Sequence, residues 1–114
     1  MRRLMETFEA YDVVVVPFPF TDRQASRRRP ALVLSKRKFQ AEIGHAVLAM
    51  ITSSDNSAWP LDVEVTDLDR AGLTSSSKVR MKIFTLDGSL ILRKLGVLAK
   101  PDQKKVQQAL DSLF

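Results

Sequence analysis

At 114 residues and 45% hydrophobic, the chain has the length of one domain with one core and is too short for two. Eighteen Lys and Arg against thirteen Asp and Glu leave a formal charge of +5, the absence of cysteine rules out disulfides and thiolate metal sites, and a single histidine argues against a histidine-rich zinc site. No apolar run approaches the roughly 18 residues that span a bilayer, and "MRR" is followed by Leu4, Met5 and Glu6 rather than by the apolar core of a secretory signal. The expectation is therefore one soluble, cytoplasmic domain over 1-114, with no membrane segment, no metal and no cofactor.

The first ten residues, "MRRLMETFEA", read either as a flexible N-terminal arm or as a short helix. "YDVVVVPFPF" holds a continuous β-branched run, Val13 to Val16, which predicts a buried strand that stops where Pro17 and Pro19 remove backbone donors. "TDRQASRRR" has turn and polar chemistry and predicts an arginine-rich loop, and "PALVLS" predicts the second strand. "KRKFQAEIGH" reads as a polar connection with Gly44 near its end, and "AVLAMI" as the third strand, antiparallel to the second.

After the small polar loop "TSSDNSAWP", "LDVEV" alternates Leu61, Val63 and Val65 with Asp62 and Glu64, which predicts a strand with one face in water. "DLDRAGL" predicts a helical turn stopped at Gly72. "SKVRMKIF" predicts a strand with Val79, Met81 and Ile83 inward and Lys78, Arg80 and Lys82 outward, and "SLILRKLGVLA" a further strand that bulges or bends at Gly96. In "PDQKKVQQALDSLF" the period changes: Pro101 suits a first helical turn, Asp102 suits the N-terminal dipole, and Val106, Leu110, Leu113 and Phe114 recur at helical spacing. Six short strands and one closing helix, with no helix between the early strands, imply a mainly β fold, a small curved antiparallel barrel with a C-terminal α-helix.

Charge is polarised along the chain. From Arg23 to Lys38 seven of sixteen residues are cationic and none is acidic, whereas Asp62, Glu64, Asp67 and Asp69 cluster further on. The basic stretch reads either as a solvated face or as a footprint for a polyanion such as nucleic acid or an acidic protein tail. Proline disfavours the helical region for the residue before it, so Arg29 is biased to an extended conformation at the mouth of the second strand. If that strand pairs with the third so that Pro30 lies opposite Ile51 and Ser35 opposite Ala46, Arg29 falls opposite Thr52. A fixed guanidinium beside a hydroxyl is a phosphate site. Alternatively Thr52 only ends a strand and Arg29 pairs with Asp22 or Asp55.

The blocks "DVVVVPFPFTD", "RRPALVLS", "VLAMITS", "DLDRAGLTSSSKVRMKIFTLD" and "RKLGVLAK", in that order from about Asp12 to the last helix, resemble the MazF/PemK-like toxin family. That resemblance implies an SH3-like barrel, homodimerisation, and metal-independent cleavage of single-stranded RNA to 2′,3′-cyclic phosphate and 5′-hydroxyl ends. It also implies inhibition by an acidic cognate antitoxin that occupies the RNA site, and operator DNA binding only through the toxin–antitoxin complex. The family's arginine before proline corresponds to Arg29 and its threonine at the end of the "ITS" strand to Thr52. One departure is Tyr11, where the family usually has glycine before the first Asp.

On this reading Arg29 stabilises charge developing on the phosphoryl oxygens, and Thr52 bonds the same oxygen or orients the attacking hydroxyl. Arg23, Arg27 and Arg28 hold phosphates; Ser53, Ser54 and Arg80 reach the strand by position. Phe18 and Phe20 either stack on bases or seal a core. His45 suits proton transfer but lies at the far end of its strand. The rival readings are a gyrase-poisoning toxin of the same fold, which would not need Arg29, and a non-catalytic basic RNA-binding module.

Overall fold

The computed structural model describes residues 7–18 and 27–114. Arg23 and Phe20 lie outside the described residues. The elements are β1 (Asp12–Phe18), β2 (Arg27–Val33), α1 (Arg37–Ile43), β3 (His45–Ser53), β4 (Val63–Glu64), α2 (Leu68–Ala71), β5 (Ser77–Asp87), β6 (Arg93–Val97) and α3 (Lys100–Leu113). The strands form one sheet in the order β4-β5-β3-β2-β1-β6, with every neighbouring pair antiparallel. The result is a mainly β, curled half-barrel with a C-terminal helix.

Both faces of the sheet are covered, which is why Val13 to Val16 form an unbroken apolar run rather than an alternating one. Val13 joins Leu32, Ala49, Ile51, Val79 and the inner side of α3 in one core. Val14 and Val16 join Phe8, Ala31, Val33, Leu48 and Leu86 in a second. Each buried valine contributes roughly 1.5–3 kcal/mol relative to exposure.

The β2–β3 ladder pairs Ala31 with Met50, Leu32 with Ala49 and Val33 with Leu48, the register expected from the sequence. β1 departs from expectation: it passes through Pro17 to Phe18, beyond its last partner on β6 at Val15. A proline is tolerated there because the strand has a single recorded neighbour. That extension gives Arg27 and Arg28 ladder partners in Phe18 and Pro17, so both lie in β2 and not in the loop to which the sequence reading assigned them.

The segment read as a polar connection instead forms α1, ended by Gly44 at φ 73°. Its anchor is polar: Gln40 accepts from the Phe8 amide (2.9 Å) and donates to the carbonyls of Phe8 (2.6 Å) and Ser35 (3.2 Å). Those bonds also tie down buried Phe8, inside the segment expected as an arm or helix; residues 1–6 lie outside the description.

The expected five-residue strand at 61–65 shortens to β4 because Leu61 turns the backbone at φ 66° and Asp62 swings inward. Lys78, expected in water, is buried with it. α2 ends at Gly72 (φ 73°) and lies against β6 with almost no space between backbones. A Cβ on Gly72 would run into the Leu95 carbonyl, and one on Gly96 into the backbone of Arg70 and Ala71. The β1–β6 register shifts opposite Gly96, the irregularity expected there.

α3 starts with Pro101 in its first turn and packs Val106 and Ala109 on the sheet. Asp102 is fully buried and accepts from both the Thr66 amide (2.8 Å) and hydroxyl (2.9 Å), so it links the helix to the chain after β4 as well as complementing the dipole. The expected packing of the helix end does not occur: Leu113 is exposed and Phe114 is 91% exposed. No described helix is long and apolar enough to cross a membrane.

Candidate functional site

Side chains alternate between the faces of a strand, and directly opposed residues share one. Ala31, Val33, Ala46 and Leu48 all belong to the second core, so their side of the sheet also carries Arg29 and Thr52 at the strand ends. Carrying the β2–β3 register outward from Ala31 and Met50 sets Arg29 opposite Thr52, and both are half-buried. Val16, another member of that core, is the β1 partner of Arg29. Lys78 is the β5 partner of Thr52 and Arg80 that of Met50, so the same face continues across the next strand.

Phe18 holds Arg29 in place: the guanidinium carbon lies 5.1 Å from the centroid of its ring. The Arg29 Nε is buried and, among the described residues, is the only buried side-chain polar atom without a hydrogen-bond partner. Leaving a buried donor unmade costs about 1–3 kcal/mol, and such costs concentrate where a ligand or reaction needs them.

Thr52 is held by a polar network. Its Oγ1 accepts from Asn56 Nδ2 at 2.5 Å, and the Asn56 carbonyl accepts from Lys78 Nζ at 2.6 Å. Lys78 also pairs with Asp62 (3.5 Å), which bonds Arg80 through Nε (3.2 Å) and Nη2 (3.1 Å). Arg80 Nη2 donates in turn to the Ser57 carbonyl (2.5 Å), so Arg80 closes the β3–β4 loop onto the sheet. Burial alone would push the Asp62 carboxyl up. The Arg80 hydrogen bond, the Trp59 amide, and the charges of Arg80 and Lys78 outweigh it and hold the carboxyl below the ordinary aspartate range.

The other sequence-derived residues divide. Phe18 and exposed Arg27 share the Arg29 face, whereas Arg28, opposite Pro17, alternates to the other side. Ser53 follows Thr52 onto the opposite face, where its hydroxyl accepts from the Asp55 amide (3.2 Å), and Ser54 donates to Glu64 (2.7 Å). His45 pairs with Asp87 at the other end of β3. That is seven residues from Thr52, or roughly 23 Å along the strand. An apolar groove of about 560 Å³, lined by Leu34, Phe39, Val47, Ile83, Leu110 and Phe114, involves a separate part of the molecule.

Asn56 and Trp59 are not marked by the sequence pattern, and Asp62 and Lys78 are marked only as water-facing strand positions rather than as members of the site. The available signal was the chain's one tryptophan standing in an otherwise small, polar loop.

Residues 9–114 match the family described as PemK-like, MazF-like toxin of type II toxin-antitoxin system. Solved structures share the fold. The MazE-MazF complex from Deinococcus radiodurans aligns with TM-score 0.74 and 22% identity over 95% of each chain. The toxin MazF-mt6 of Mycobacterium tuberculosis aligns with TM-score 0.71 and 18% identity, over 89% of this chain and 93% of that one. An endoribonuclease in complex with its cognate antitoxin, from a mycobacterial species, gives 0.73 and 17% over 95% and 93%. No curated protein matches the sequence.

Proposed function

The chain belongs to the PemK-like, MazF-like toxin family of type II toxin–antitoxin systems, and from that premise we propose that it cleaves single-stranded RNA with Arg29 and Thr52. The observation that carries the reading is the ring-stacked guanidinium of Arg29, whose buried Nε has no hydrogen-bond partner among the described residues, on the face and strand end shared with Thr52. A phosphodiester offers a guanidinium a negative charge and several acceptor oxygens in a geometry that matches its planar fork.

The substrate's 2′-oxygen attacks the adjacent phosphorus while the bond to the 5′-oxygen breaks, leaving a 2′,3′-cyclic phosphate on one fragment and a 5′-hydroxyl on the other. The 2′-hydroxyl loses its proton and the departing 5′-oxygen gains one. Charge accumulates on the non-bridging oxygens, where a fixed cation acts more strongly on the transition state than on the ground state. Thr52 receives a hydrogen bond from Asn56, which leaves its own proton to donate outward to the same phosphoryl group. A guanidinium stays protonated and is a poor base, so Arg29 acts through charge and hydrogen bonding. Arg27 holds a flanking phosphate; DNA, without the 2′-hydroxyl, resists cleavage.

Several of the similar structures are complexes with an antitoxin. In this chain an acidic antitoxin segment would compete with RNA for the cations around Arg29. The active form is a homodimer, and operator DNA is bound through the antitoxin complex.

The test is incubation of the purified protein with mixed-sequence single-stranded RNA in EDTA, followed by mapping of the ends, beside Arg29→Ala and Thr52→Ala. Cuts with cyclic phosphate ends that disappear in both variants are expected. Cleavage abolished by EDTA in the parent would overturn the mechanism, and growth inhibition that survives Arg29→Ala would favour a non-nucleolytic toxin.

A further inference from the structure

Trp59, the one tryptophan, stands 44% exposed in the loop that also carries Asn56. An indole left that far in water, inside a loop otherwise built of small and polar residues, keeps a large part of its aromatic surface open to a ligand. The ring is nevertheless not loosely held. The Trp59 amide donates to Asp62 Oδ2 (2.9 Å), and its carbonyl accepts from the Asp62 amide (3.3 Å). Pro60 restricts the Trp59 backbone further. Asp62 itself is clamped by Lys78 and Arg80, so the indole is carried on the network that fixes Thr52.

Two cations lie over the ring: Lys82 Nζ is 4.5 Å and the Arg80 guanidinium carbon 5.4 Å from its centroid. Arg80 is occupied by Asp62 and Ser57. Lys82 is exposed and, among the described residues, has no acidic partner. A part-exposed aromatic ring with an ammonium over it that has no acidic partner among the described residues matches a nucleotide, whose base stacks on the open part of the ring while its phosphate meets the cation. An apolar protein side chain would cover the indole but would bring that ammonium no counter-charge.

We propose that Trp59 is a stacking platform for an unpaired base of single-stranded RNA, with Lys82 holding the phosphate of that nucleotide; the proposal rests on the RNA-cleaving reading above and assigns a recognition subsite beside Thr52. A strand drawn across Thr52 keeps one base on the indole, which fixes its register relative to the scissile bond. Because ring and backbone are already ordered, little conformational freedom is lost when the base docks.

A single tryptophan makes the test direct. The full chain is titrated with a fully 2′-O-methylated, mixed-sequence oligonucleotide, which offers no free 2′-hydroxyl for self-cleavage. Binding is followed by anisotropy of a labelled copy and, separately, by Trp59 emission with an unlabelled copy. The proposal expects strong quenching that saturates with the anisotropy, about tenfold weaker binding by Trp59→Ala, and recovery of most of that loss in Trp59→Phe. An abasic oligonucleotide of equal length should bind through its phosphates without quenching. Binding with unaltered emission and unaltered affinity in Trp59→Ala would overturn the stacking platform while leaving the nuclease reading intact. No binding by either signal would sink both. An emission change produced by a Glu-rich, Leu-containing peptide but not by the oligonucleotide would overturn the RNA assignment in favour of a protein partner.

Discussion

Asp62→Ala is the most telling perturbation of the scaffold behind Thr52. The Asp62 side chain is 12% exposed and is the acid shared by Lys78, 7% exposed, and Arg80, 11% exposed. Removing it strands two largely desolvated cations and deletes the acceptor for the Trp59 amide. Breaking a buried pair by deleting one partner costs about 3–5 kcal/mol. The residual exposure here lets water reach both cations, so we take about 3 kcal/mol, the low end of that range. Unfolding entropy of roughly 2.1 cal/mol/K per residue converts this to a fall of about 12 °C in Tm for a chain of 114 residues.

Urea denaturation at pH 7 gives the cost directly, with Asp62→Asn as the variant that keeps an acceptor and loses the charge. The pH dependence supplies an independent check. The Asp62 carboxyl is held below the ordinary aspartate range in the folded protein, so its contribution is present above the unfolded pKa of about 3.9 and is lost as pH falls through the lower, folded value. The stability gap between parent and Asp62→Ala should therefore be constant from neutral pH to about pH 5 and narrow below about pH 4. A cost under about 1 kcal/mol, or a gap that does not change with acidification, would show that these are ordinary solvated surface pairs.

Three further outcomes follow from the packing. Gly96→Ala forces a methyl into the backbone of Arg70 and Ala71 and should cost about 3 kcal/mol, read as a lowered urea midpoint with an unchanged slope. Asp102→Ala leaves the Thr66 amide and hydroxyl without their acceptor and removes a favourable charge from the first turn of α3; a loss of about 2 kcal/mol in thermal denaturation is expected. Tyr11 stands at φ 73°, where its Cβ is strained by roughly 1–2 kcal/mol, while its hydroxyl bonds Gln107 at 3.2 Å. Tyr11→Gly should accordingly stay within about 1 kcal/mol of the parent in urea denaturation, and β-branched Tyr11→Val should be the clearly weaker variant.

The parts of the fold legible in the sequence are those governed by local rules. The valine run and the apolar second and third strands suffice to fix which side chains share a face, because a one-residue slip would turn every buried side chain to the wrong one; the exact β2–β3 register, which a two-residue slip would also satisfy, is a supposition that the ladder matches. Gly72 and Gly96 were legible because few other residues suit a helix stop or a close backbone approach. α1 was not, since its buried residue is Gln40 and its apolar Phe39 and Ile43 face outward, which removes the period that marks a helix. The position of Lys78 was hidden for a related reason. Alternation predicts that a lysine between apolar neighbours faces water, and only the inward turn at Leu61 and Asp62 supplies the counter-charge that draws it in.

The same distinction separates the two halves of the candidate site. Arg29 is directed by a covalent restriction from Pro30 and by the ring of Phe18, neither of which depends on an ionisable group. Thr52 depends on Asn56, and Asn56 on a lysine, an aspartate and an arginine that meet only in the folded chain. Acidification should consequently loosen the hydroxyl side before the guanidinium side. Below the carboxylate range Asp62 gains a proton, Lys78 and Arg80 repel each other without an intervening charge, and the loop bearing Asn56 and Trp59 loses its clamp. The Arg29–Phe18 stack contains no carboxylate and has no such clamp to lose. A candidate pair whose members are held by such different physics is one that chain-local patterns can only half describe.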